Sequence, residues 1–559
     1  MTTTSEESLP APASTTINDD EDQNNILPPY DDTTHRHSTI IVSIFNLSAT
    51  IVGGGILSIP LAMSKCGIVL GSLLMIISVV ITDKSLYLMC LCARQTRTQT
   101  FGEVGKAAFG SYMESTISVI LCIFLLFVLV AYMVLTKDIW TTILEILLHK
   151  ASVHLTVNPD LVLLGTLLIM FPFLIRKNLY ELRYNCYVGL TSVSILCFAL
   201  CHHAYLNMST NWDDDDDDHD TIEAVESDIP LQEEALDTHP HNTTYTIKLW
   251  TSSFDDVLFA FPIITLAFLS IFNILPIQNS LIEPSLTRMK VVISGATTSC
   301  FILTLLFGLG GYLYAQQDTN GNILLNVNSN GGSDILFFLG RLGCGVTIML
   351  AMAMMLLPCR ASLLEVLDMI TNHPHIIPPP PQMVSPSSSP EEETPLLVQS
   401  TILVPTSASS TSTEAYGTDG EGKVTPSSPT ATTTNINATL LEDDPWAHYG
   451  TTIGIVALCY IIAIRVPGVA VVWSLCGSFL AFVIAFIYPA ACYIQIQRRY
   501  PSTFGSSGGF GRDMDTAKTQ RKRDQTASWI LFSWVILIFS VVGSIACTAK
   551  TVSQVFFSS

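Results

Sequence analysis

Three adjacent glycines interrupt the first long apolar stretch of the chain. Gly53, Gly54 and Gly55 lie near its middle, and Pro60 follows. Each glycine costs about 1 kcal/mol of helix propensity and an interior proline about 3 kcal/mol, so this pattern predicts a broken helix. A break at membrane depth leaves backbone groups unpaired, and the N-terminus of a half-helix can hold an anionic group of a small molecule. Close helix packing on a glycine face is the structural alternative.

The sixth apolar stretch is interrupted in a comparable way. Pro262 and Pro276 lie inside it. Its polar groups come from Thr265, Ser270 and Asn273. The first and sixth stretches correspond in a five-plus-five repeat, and the repeat is inverted because five crossings are an odd number. Paired interruptions at matching positions favour a small-molecule site near the middle of a membrane.

Ionisable residues inside apolar stretches are candidates for proton transfer. Asp83 lies about two-thirds of the way through the second stretch, and we expect the neighbouring Lys84 to point elsewhere on the helix. An interfacial anchor near the cytoplasmic headgroups is the other interpretation of Asp83. The histidines of the chain match no metal-binding spacing, so we expect no metal and no cofactor. No nucleophile–base pair indicates an enzyme.

The composition places these stretches in a membrane. Of the 559 residues, 49% are hydrophobic and only 13% are charged, whereas soluble domains carry about 25% charged residues. A hydrocarbon core about 30 Å thick requires about 20 apolar residues per helix. We therefore predict an all-α membrane protein with about eleven spanning helices, in which helices 1 and 6 are broken and one helix is additional to the inverted repeat. The predicted spans are 39–63, 68–92, 114–136, 159–175, 186–206, 254–276, 290–315, 334–357, 450–466, 469–494 and 527–548.

Polar segments divide the chain between these spans. We predict a disordered cytoplasmic tail (1–38), helices 1–8 (39–369), a disordered cytoplasmic linker (370–449) and helices 9–11 (450–559). An acidic segment, 207–250, separates helices 5 and 6. The tail, the linker and the acidic segment are too polar to bury a core, and they hold most of the acids behind the net charge of −21. No basic stripe with interleaved aromatic residues favours a nucleic-acid partner.

The distribution of Lys and Arg predicts the orientation of the helices. These residues favour the cytoplasmic side, and they alternate as required along the short loops when the N-terminus is cytoplasmic. The acidic segment 207–250 is then extracytoplasmic. It carries N-glycosylation sequons at Asn207 and Asn242, which we expect to be modified.

A set of motifs runs in order through almost the whole membrane domain. They are the glycine segment 46–60, Thr82-Asp83, Phe101-Gly102-Glu103, Ala131-Tyr132, Leu182-Arg183-Tyr184, the stretch 273–281, Pro358-Cys359-Arg360, the stretch 473–477 and Pro489. The set resembles the amino acid/auxin permease family, which includes yeast vacuolar amino acid transporters and animal sodium-coupled neutral amino acid transporters. The resemblance implies a secondary transporter of amino acids, with neutral ones favoured, whose substrate carboxylate meets the backbone of residues 53–56. The implied substrate-binding residues are Thr50, Gly53, Gly54, Gly55, Ile56, Thr265, Phe268 and Ser270.

Two departures from the sodium-coupled relatives bear on the coupling ion. Ala49 stands where those relatives carry Asn, and Met349 and Ala351 stand where they carry hydroxyl residues. Neither type of side chain offers the oxygen ligand that a hard cation requires. Thr50 and Thr347 are nearby but displaced. We therefore expect proton coupling or exchange rather than sodium coupling. The candidate residues for an ion or a proton are Asn46, Asp83 and Thr347.

An acidic dileucine-like sequence lies in the predicted linker. It starts at Glu392 and ends at Leu396 and Leu397, and a weaker version ends at Leu27. Such sequences are address signals, so we expect sorting adaptors as partners. The predicted destination is a vacuolar or endolysosomal membrane, with the plasma membrane as the alternative.

Two other functions fit the same membrane fold. An amino-acid sensor would bind the substrate without moving it across the membrane. A channel would be expected to show rings of charged side chains or repeated filter carbonyls, and we find no such element.

Overall fold

The structure is a computed structural model that describes residues 38–152, 156–176, 185–215, 247–328, 335–371, 445–499 and 515–557. Within these residues the chain is helical, and the described part contains a single isolated bridge, between Ser38 and Leu281, in place of strands. The predicted tail up to residue 37, residues 216–246 of the acidic segment and residues 372–444 of the linker lie outside the described residues.

The helices of the first half precede the acidic segment. They are α1 (Ile40–Ile51), a 3-10 helix (Gly54–Ser58), α2 (Ile59–Cys66), α3 (Ile68–Thr96), α4 (Phe101–Phe109), α5 (Ser111–Lys150), α6 (Pro159–Leu174) and α7 (Asn185–Asp215). The second half begins with α8 (Phe254–Ala267), α9 (Ile271–Ser280), α10 (Leu286–Ala315), two 3-10 helices (Gln316–Asp318 and Ile323–Asn328) and α11 (Ile335–Thr371). It ends with α12 (Pro445–Ala463), α13 (Val469–Cys476), two π-helical turns (Gly477–Ala481 and Val483–Ile487), α14 (Tyr488–Arg499) and α15 (Asp515–Phe557).

Eight spans in the described residues are long and apolar enough to cross a membrane. A ninth is the pair α1 and Gly54–Cys66, whose axes are bent by 46° at the glycine break. The helices Pro159–Leu174 and His448–Ala463 coincide with the predicted fourth and ninth spans but are shorter than 18 residues. The predicted all-α membrane fold is confirmed, and the count of eleven crossings stays a prediction.

The helix lengths follow the five-plus-five repeat. The second and seventh spans have 29 and 30 residues, and the third and eighth have 40 and 37. The fourth and ninth are the shortest, with 16 and 19 residues. The first and sixth spans are both interrupted, between Ile51 and Gly54 and between Ala267 and Ile271.

The first and sixth spans lie side by side and run in opposite directions. At one end, the Ser38 N–H donates to the Ser280 carbonyl oxygen over 3.0 Å, and the Ile282 N–H donates to the Ser38 carbonyl oxygen over 3.0 Å. At the other end, the Ile68 N–H donates to the Lys248 carbonyl oxygen over 3.1 Å. The start of one span therefore meets the end of the other, as an inverted repeat requires.

Several helices extend past the predicted ends of their spans, among them α11, which continues from the predicted end at residue 357 to Thr371. Helix α5 continues from the predicted end at residue 136 to Lys150, since apolar residues go on to Leu148 without a Gly or Pro. Helix α7 continues to Asp215, and α15 begins at Asp515 rather than near residue 527. Hydropathy marks the lipid-embedded part of a helix, whereas a helix itself continues as long as its backbone hydrogen bonds do.

Candidate functional site

The first span is broken at the three glycines. Helix α1 ends at Ile51, whose carbonyl oxygen accepts from the Gly53 N–H over 2.8 Å, and the Gly53 carbonyl oxygen accepts from the Ile56 N–H over 3.3 Å. A new 3-10 helix starts at Gly54. The first N–H groups of a helix have no partner inside it, and the end that they form is electropositive. The N–H groups of Gly54 and Gly55 are therefore suited to hold an anionic group.

The sixth span is broken opposite this point. Helix α8 ends at Ala267, and the Phe268 N–H closes back on the Thr265 carbonyl oxygen over 3.3 Å. A Cβ atom on Gly55 would lie 3.4 Å from the Ala267 Cα atom, so the two breaks are in contact. The last carbonyl groups of α8 form an electronegative helix end. One break thus offers hydrogen-bond donors and the other offers acceptors.

A cavity lies between the two breaks. Its wall consists of Thr50, Ile51, Gly53, Gly54, Gly55, Phe124, Val128, Tyr132, Leu266, Ala267, Leu269, Phe272, Met355 and Trp473. This wall includes no Asp, Glu, Lys, Arg or His side chain. A charged group of a ligand must therefore be met by the backbone and hydroxyl groups, and the rest of the ligand meets aromatic and aliphatic side chains.

Helix α5 closes one side of the cavity with Tyr132. The Tyr132 hydroxyl oxygen lies 3.4 Å from where a Cβ atom on Gly53 would be, and its Cε1 atom lies 3.1 Å from the Cβ position of Gly54. The Leu135 Cδ1 atom would be only 2.8 Å from the same Gly54 Cβ. The Tyr132 and Trp473 rings meet edge to face, with centroids 6.3 Å apart. Gly54 thus allows α5 to pack closely against the break, as the close-packing interpretation of the glycines expects. The Gly54 backbone also borders the cavity.

The predicted substrate-binding residues divide between two layers. Four of them, Thr50 and the three glycines at 53–55, line the cavity. The side chains of Ile56, Thr265, Phe268 and Ser270 are buried outside its wall, with at most 2% exposure. Their roles in binding stay predictions.

The sixth span contributes other residues to the wall than those predicted. Leu266, Ala267 and Leu269 line the cavity beside the break. Among the described residues, the buried hydroxyl oxygens of Thr265 and Ser270 have no hydrogen-bond partner. A buried hydroxyl that is left without any partner costs about 1–3 kcal/mol.

Two of the candidate coupling residues, Asn46 and Thr347, form hydrogen bonds within the helix to which each belongs. The Asn46 carbonyl oxygen accepts from the Thr50 hydroxyl over 2.9 Å, and the Thr347 hydroxyl donates to the Gly343 carbonyl oxygen over 2.8 Å. The Thr347 carbonyl oxygen also accepts from the Asn185 amide over 3.1 Å, which joins α11 to α7.

The third candidate, Asp83, joins α3 to α10. Its Oδ1 atom accepts from the Ser294 hydroxyl over 2.9 Å and from the Thr297 hydroxyl over 3.3 Å. Its Oδ2 atom lies 2.7 Å from Lys84 Nζ. The expectation that Lys84 points elsewhere is therefore wrong. Adjacent residues do not share a helix face, but the long lysine side chain reaches around to its neighbour.

Four aromatic residues that line the cavity are absent from the residues predicted to bind substrate. They are Phe124, Tyr132, Phe272 and Trp473. A signal for two of them was present, because Ala131-Tyr132 and the stretch from Trp473 belong to the ordered motifs. Phe124 lies in an apolar helix whose composition does not mark one face, and its ring centroid is 6.1 Å from that of Phe272.

The remaining predicted sites lie mostly beyond the described residues. Asn207 falls within α7. Asn242, Glu392, Leu396 and Leu397 lie outside the described residues. In the described part, no group of three or more His, Cys, Asp or Glu residues could hold a metal ion.

A helical bundle with two facing helix breaks and a cavity between them is an arrangement that membrane transporters use for a small-molecule site. Residues 36–505 match the family described as transmembrane amino acid transporter protein. The match covers most of the chain, so the protein belongs to this family. It is a family of transporters rather than of enzymes, and its general activity is amino acid transport.

Proposed function

We propose that the protein is a secondary active transporter of neutral amino acids that works by alternating access, with proton coupling or exchange rather than sodium coupling. The observation that carries the proposal is the cavity between the breaks. It combines the first N–H groups of a half-helix, at Gly54 and Gly55, with a wall that has no charged side chain. An amino acid with a charged side chain would find no counter-charge there.

The polarity of the two breaks fits the two ends of an amino acid. The carboxylate would lie against the N–H groups of Gly54 and Gly55, at an electropositive helix end. The ammonium group would lie near the carbonyl groups that end α8 at Ala267. The side chain would contact Phe124 and Met355, which line the apolar part of the wall.

The unpaired hydroxyl groups of Thr265 and Ser270 support alternating access. Both lie at the break of the sixth span, where the backbone between α8 and α9 is not helical. A second arrangement of this break that pairs or hydrates them would recover part of the lost hydrogen-bond energy. Two arrangements of similar free energy are what a transporter needs in order to expose its site to either side in turn.

Three side chains argue against sodium as the coupling ion. Ala49, Met349 and Ala351 carry no side-chain oxygen. We further propose a cytoplasmic N-terminus and a vacuolar or endolysosomal membrane, from the Lys and Arg distribution and from the dileucine-like sequence of the linker.

The test is transport by the purified full-length protein in liposomes. A panel of labelled amino acids is offered with an imposed proton gradient, an imposed sodium gradient or neither, and counterflow is measured with unlabelled substrate trapped inside. Saturable counterflow of neutral amino acids, driven by the proton gradient or by exchange alone, is expected. Binding without counterflow would identify a sensor, and non-saturable flux would identify a channel. Accumulation that depends on sodium would contradict the coupling.

A further inference from the structure

One face of α5 contributes three residues to the wall of the cavity. Phe124, Val128 and Tyr132 follow one another at four-residue intervals, and all three line the cavity. Residues four apart lie one above the other on a helix. The rise from Phe124 to Tyr132 is about 12 Å at 1.5 Å per residue. A substrate therefore lies along a short wall with an aromatic ring at each end.

At the Tyr132 end, this wall lies directly against the glycine break. The Tyr132 hydroxyl oxygen is 3.4 Å from the position of a Cβ atom on Gly53, and the Ala267 Cα atom is 3.4 Å from that position on Gly55. Tyr132 and Trp473 are both buried, and their rings meet edge to face. The carboxylate and ammonium groups of a substrate would fill this end, so its side chain would extend towards Phe124.

At the other end, the Phe124 ring meets the Phe272 ring of α9. The ring centroids are 6.1 Å apart and the planes are tilted by 50°, within the range of favourable aromatic pairs. Phe124 is 3% exposed, and in a close-packed interior its ring cannot turn away without moving its neighbours. Met355 of α11 also lines the cavity, and an unbranched methionine adapts more readily than a ring. Phe124 is thus a fixed boundary and Met355 an adaptable one.

The cavity between these boundaries is small. Its volume, taken as the space that the centre of a water molecule can occupy, is about 50 Å³. One water requires about 10–15 Å³ of such space, so the cavity holds roughly four waters. This is enough for the carboxylate, the α-carbon and the ammonium group of an amino acid together with a small side chain. A long, branched or aromatic side chain would have to displace Phe124 or Met355.

We propose that the site selects small neutral amino acids such as glycine and alanine, and that Phe124 sets the upper limit on side-chain size, with Met355 as the second boundary. The inference rests on the proposed function and names the substrate class of the same site. Additional methylene groups in a close-packed site force side chains off their preferred rotamers. One methylene more or less in an apolar pocket changes kcat/KM by about 10–200-fold.

The test is uptake by the purified full-length protein in liposomes, with glycine, alanine, leucine and phenylalanine each offered over a range of concentrations. The kcat/KM for alanine should exceed that for leucine by at least about tenfold, the lower end of the range for an apolar pocket. Phe124→Ala and Met355→Ala should each reduce this ratio by about tenfold, through a gain for leucine.

Two matched controls make the same changes away from the cavity. Phe198 on α7 is 63% exposed, and Met354 is the half-buried neighbour of Met355 on α11. Neither residue lines the cavity, so Phe198→Ala and Met354→Ala should keep the ratio of the unmodified protein.

Phe124→Leu is the milder variant in case Phe124→Ala does not fold, and it should reduce the ratio to a smaller extent. Both substrates are measured on the same preparation, so the ratio does not depend on how much of the protein is active. An unmodified protein that transports leucine or phenylalanine as efficiently as alanine overturns the proposal, as does an unchanged ratio in the Phe124 variants that fold. A protein that transports no amino acid at all would instead contradict the proposed function.

Discussion

The Asn273 amide donates to the Thr50 hydroxyl oxygen over 3.2 Å and joins the two interrupted spans. Thr50 lies on α1 before the first break, and Asn273 lies on α9 after the second. The Thr50 hydroxyl donates in turn to the Asn46 carbonyl oxygen. Because Thr50 also lines the cavity, this contact connects the cavity wall to the half-helices α1 and α9.

Substitution of either Thr50 or Asn273 removes this contact and should reduce transport. Thr50→Val keeps the shape of the side chain and removes its hydrogen bonds, and Asn273→Ala removes the donor. The double variant should lose less than the sum of the two single losses, with a coupling of about 0.5–1.5 kcal/mol. The coupling is obtained from kcat/KM for uptake of a neutral amino acid. Thr116→Val is the control, since Thr116 makes the same bond to a carbonyl four residues back on an exposed surface. Strictly additive losses would contradict a direct role for the contact.

A side chain at Gly54 should abolish transport. Gly54→Val places atoms where Leu135 and Tyr132 already lie and pushes them into the cavity or away from the break. Gly165→Val is the matched control, because no atom of the described residues, apart from the chain neighbours and the nearby backbone of its own helix, lies within 4 Å of a Cβ added there. Uptake is measured at equal amounts of monodisperse protein. Leu135→Ala in the Gly54→Val background tests whether added space restores function, and normal uptake by Gly54→Val itself would show that the site lies elsewhere.

Sugar chains on the acidic segment would reveal its side of the membrane. We expect the protein from a eukaryotic host to lose mass on treatment with a glycosidase. Asn207→Gln together with Asn242→Gln should remove that shift. Asn437→Gln changes a third sequon, Asn437-Ala-Thr, and should leave the shift unchanged, since residue 437 lies in the segment predicted to be cytoplasmic. A shift that disappears with Asn437→Gln alone would reverse the orientation.

The dileucine-like sequence should determine where the protein accumulates. Leu396→Ala with Leu397→Ala is expected to move a tagged protein from vacuolar or endolysosomal membranes towards the cell surface, because adaptors no longer bind it. Imaging and surface biotinylation measure the change. Ile402→Ala, a few residues further along the same predicted linker, serves as the control outside the motif. Unchanged localisation of the double variant would rule out a sorting role for this sequence.

The fold follows from the sequence wherever the cause is local. Gly53 to Gly55 and the prolines of the sixth span destabilise a helix by their own backbone chemistry, so both breaks could be predicted. The inverted arrangement follows from counting crossings. The length of α5 could not be predicted in this way, because charged residues such as Lys137, Asp138 and Glu145 end the uncharged stretch without ending the helix.

Of the candidate site, the sequence predicts the glycine backbone that borders the cavity but not most of the side chains that line it. The glycines border the cavity, but the rotation of α5 decides that Tyr132 and Phe124 face it. An almost wholly apolar helix shows no polar face, and its rotation is set by tertiary packing. The same limit applies to the sixth span, where packing turns residues 266, 267 and 269 to the cavity and buries Thr265 and Ser270 elsewhere.

The fourth and ninth helices are the shortest spans, and their length can be compared with the thickness of the surrounding lipid. Pro159–Leu174 has 16 residues and spans about 24 Å at 1.5 Å per residue, against a hydrocarbon layer of about 30 Å. The ninth helix, Pro445–Ala463, is longer at 19 residues, and its apolar part His448–Ala463 has 16. Both helices pack against the long α5 and α11. Tilting would shorten the reach of the fourth helix further, so a mismatch there has to be met by local thinning of the bilayer, by flanking side chains that reach the interface or by oligomerisation. The thickness of the host membrane is therefore a variable that acts on this flank of the protein.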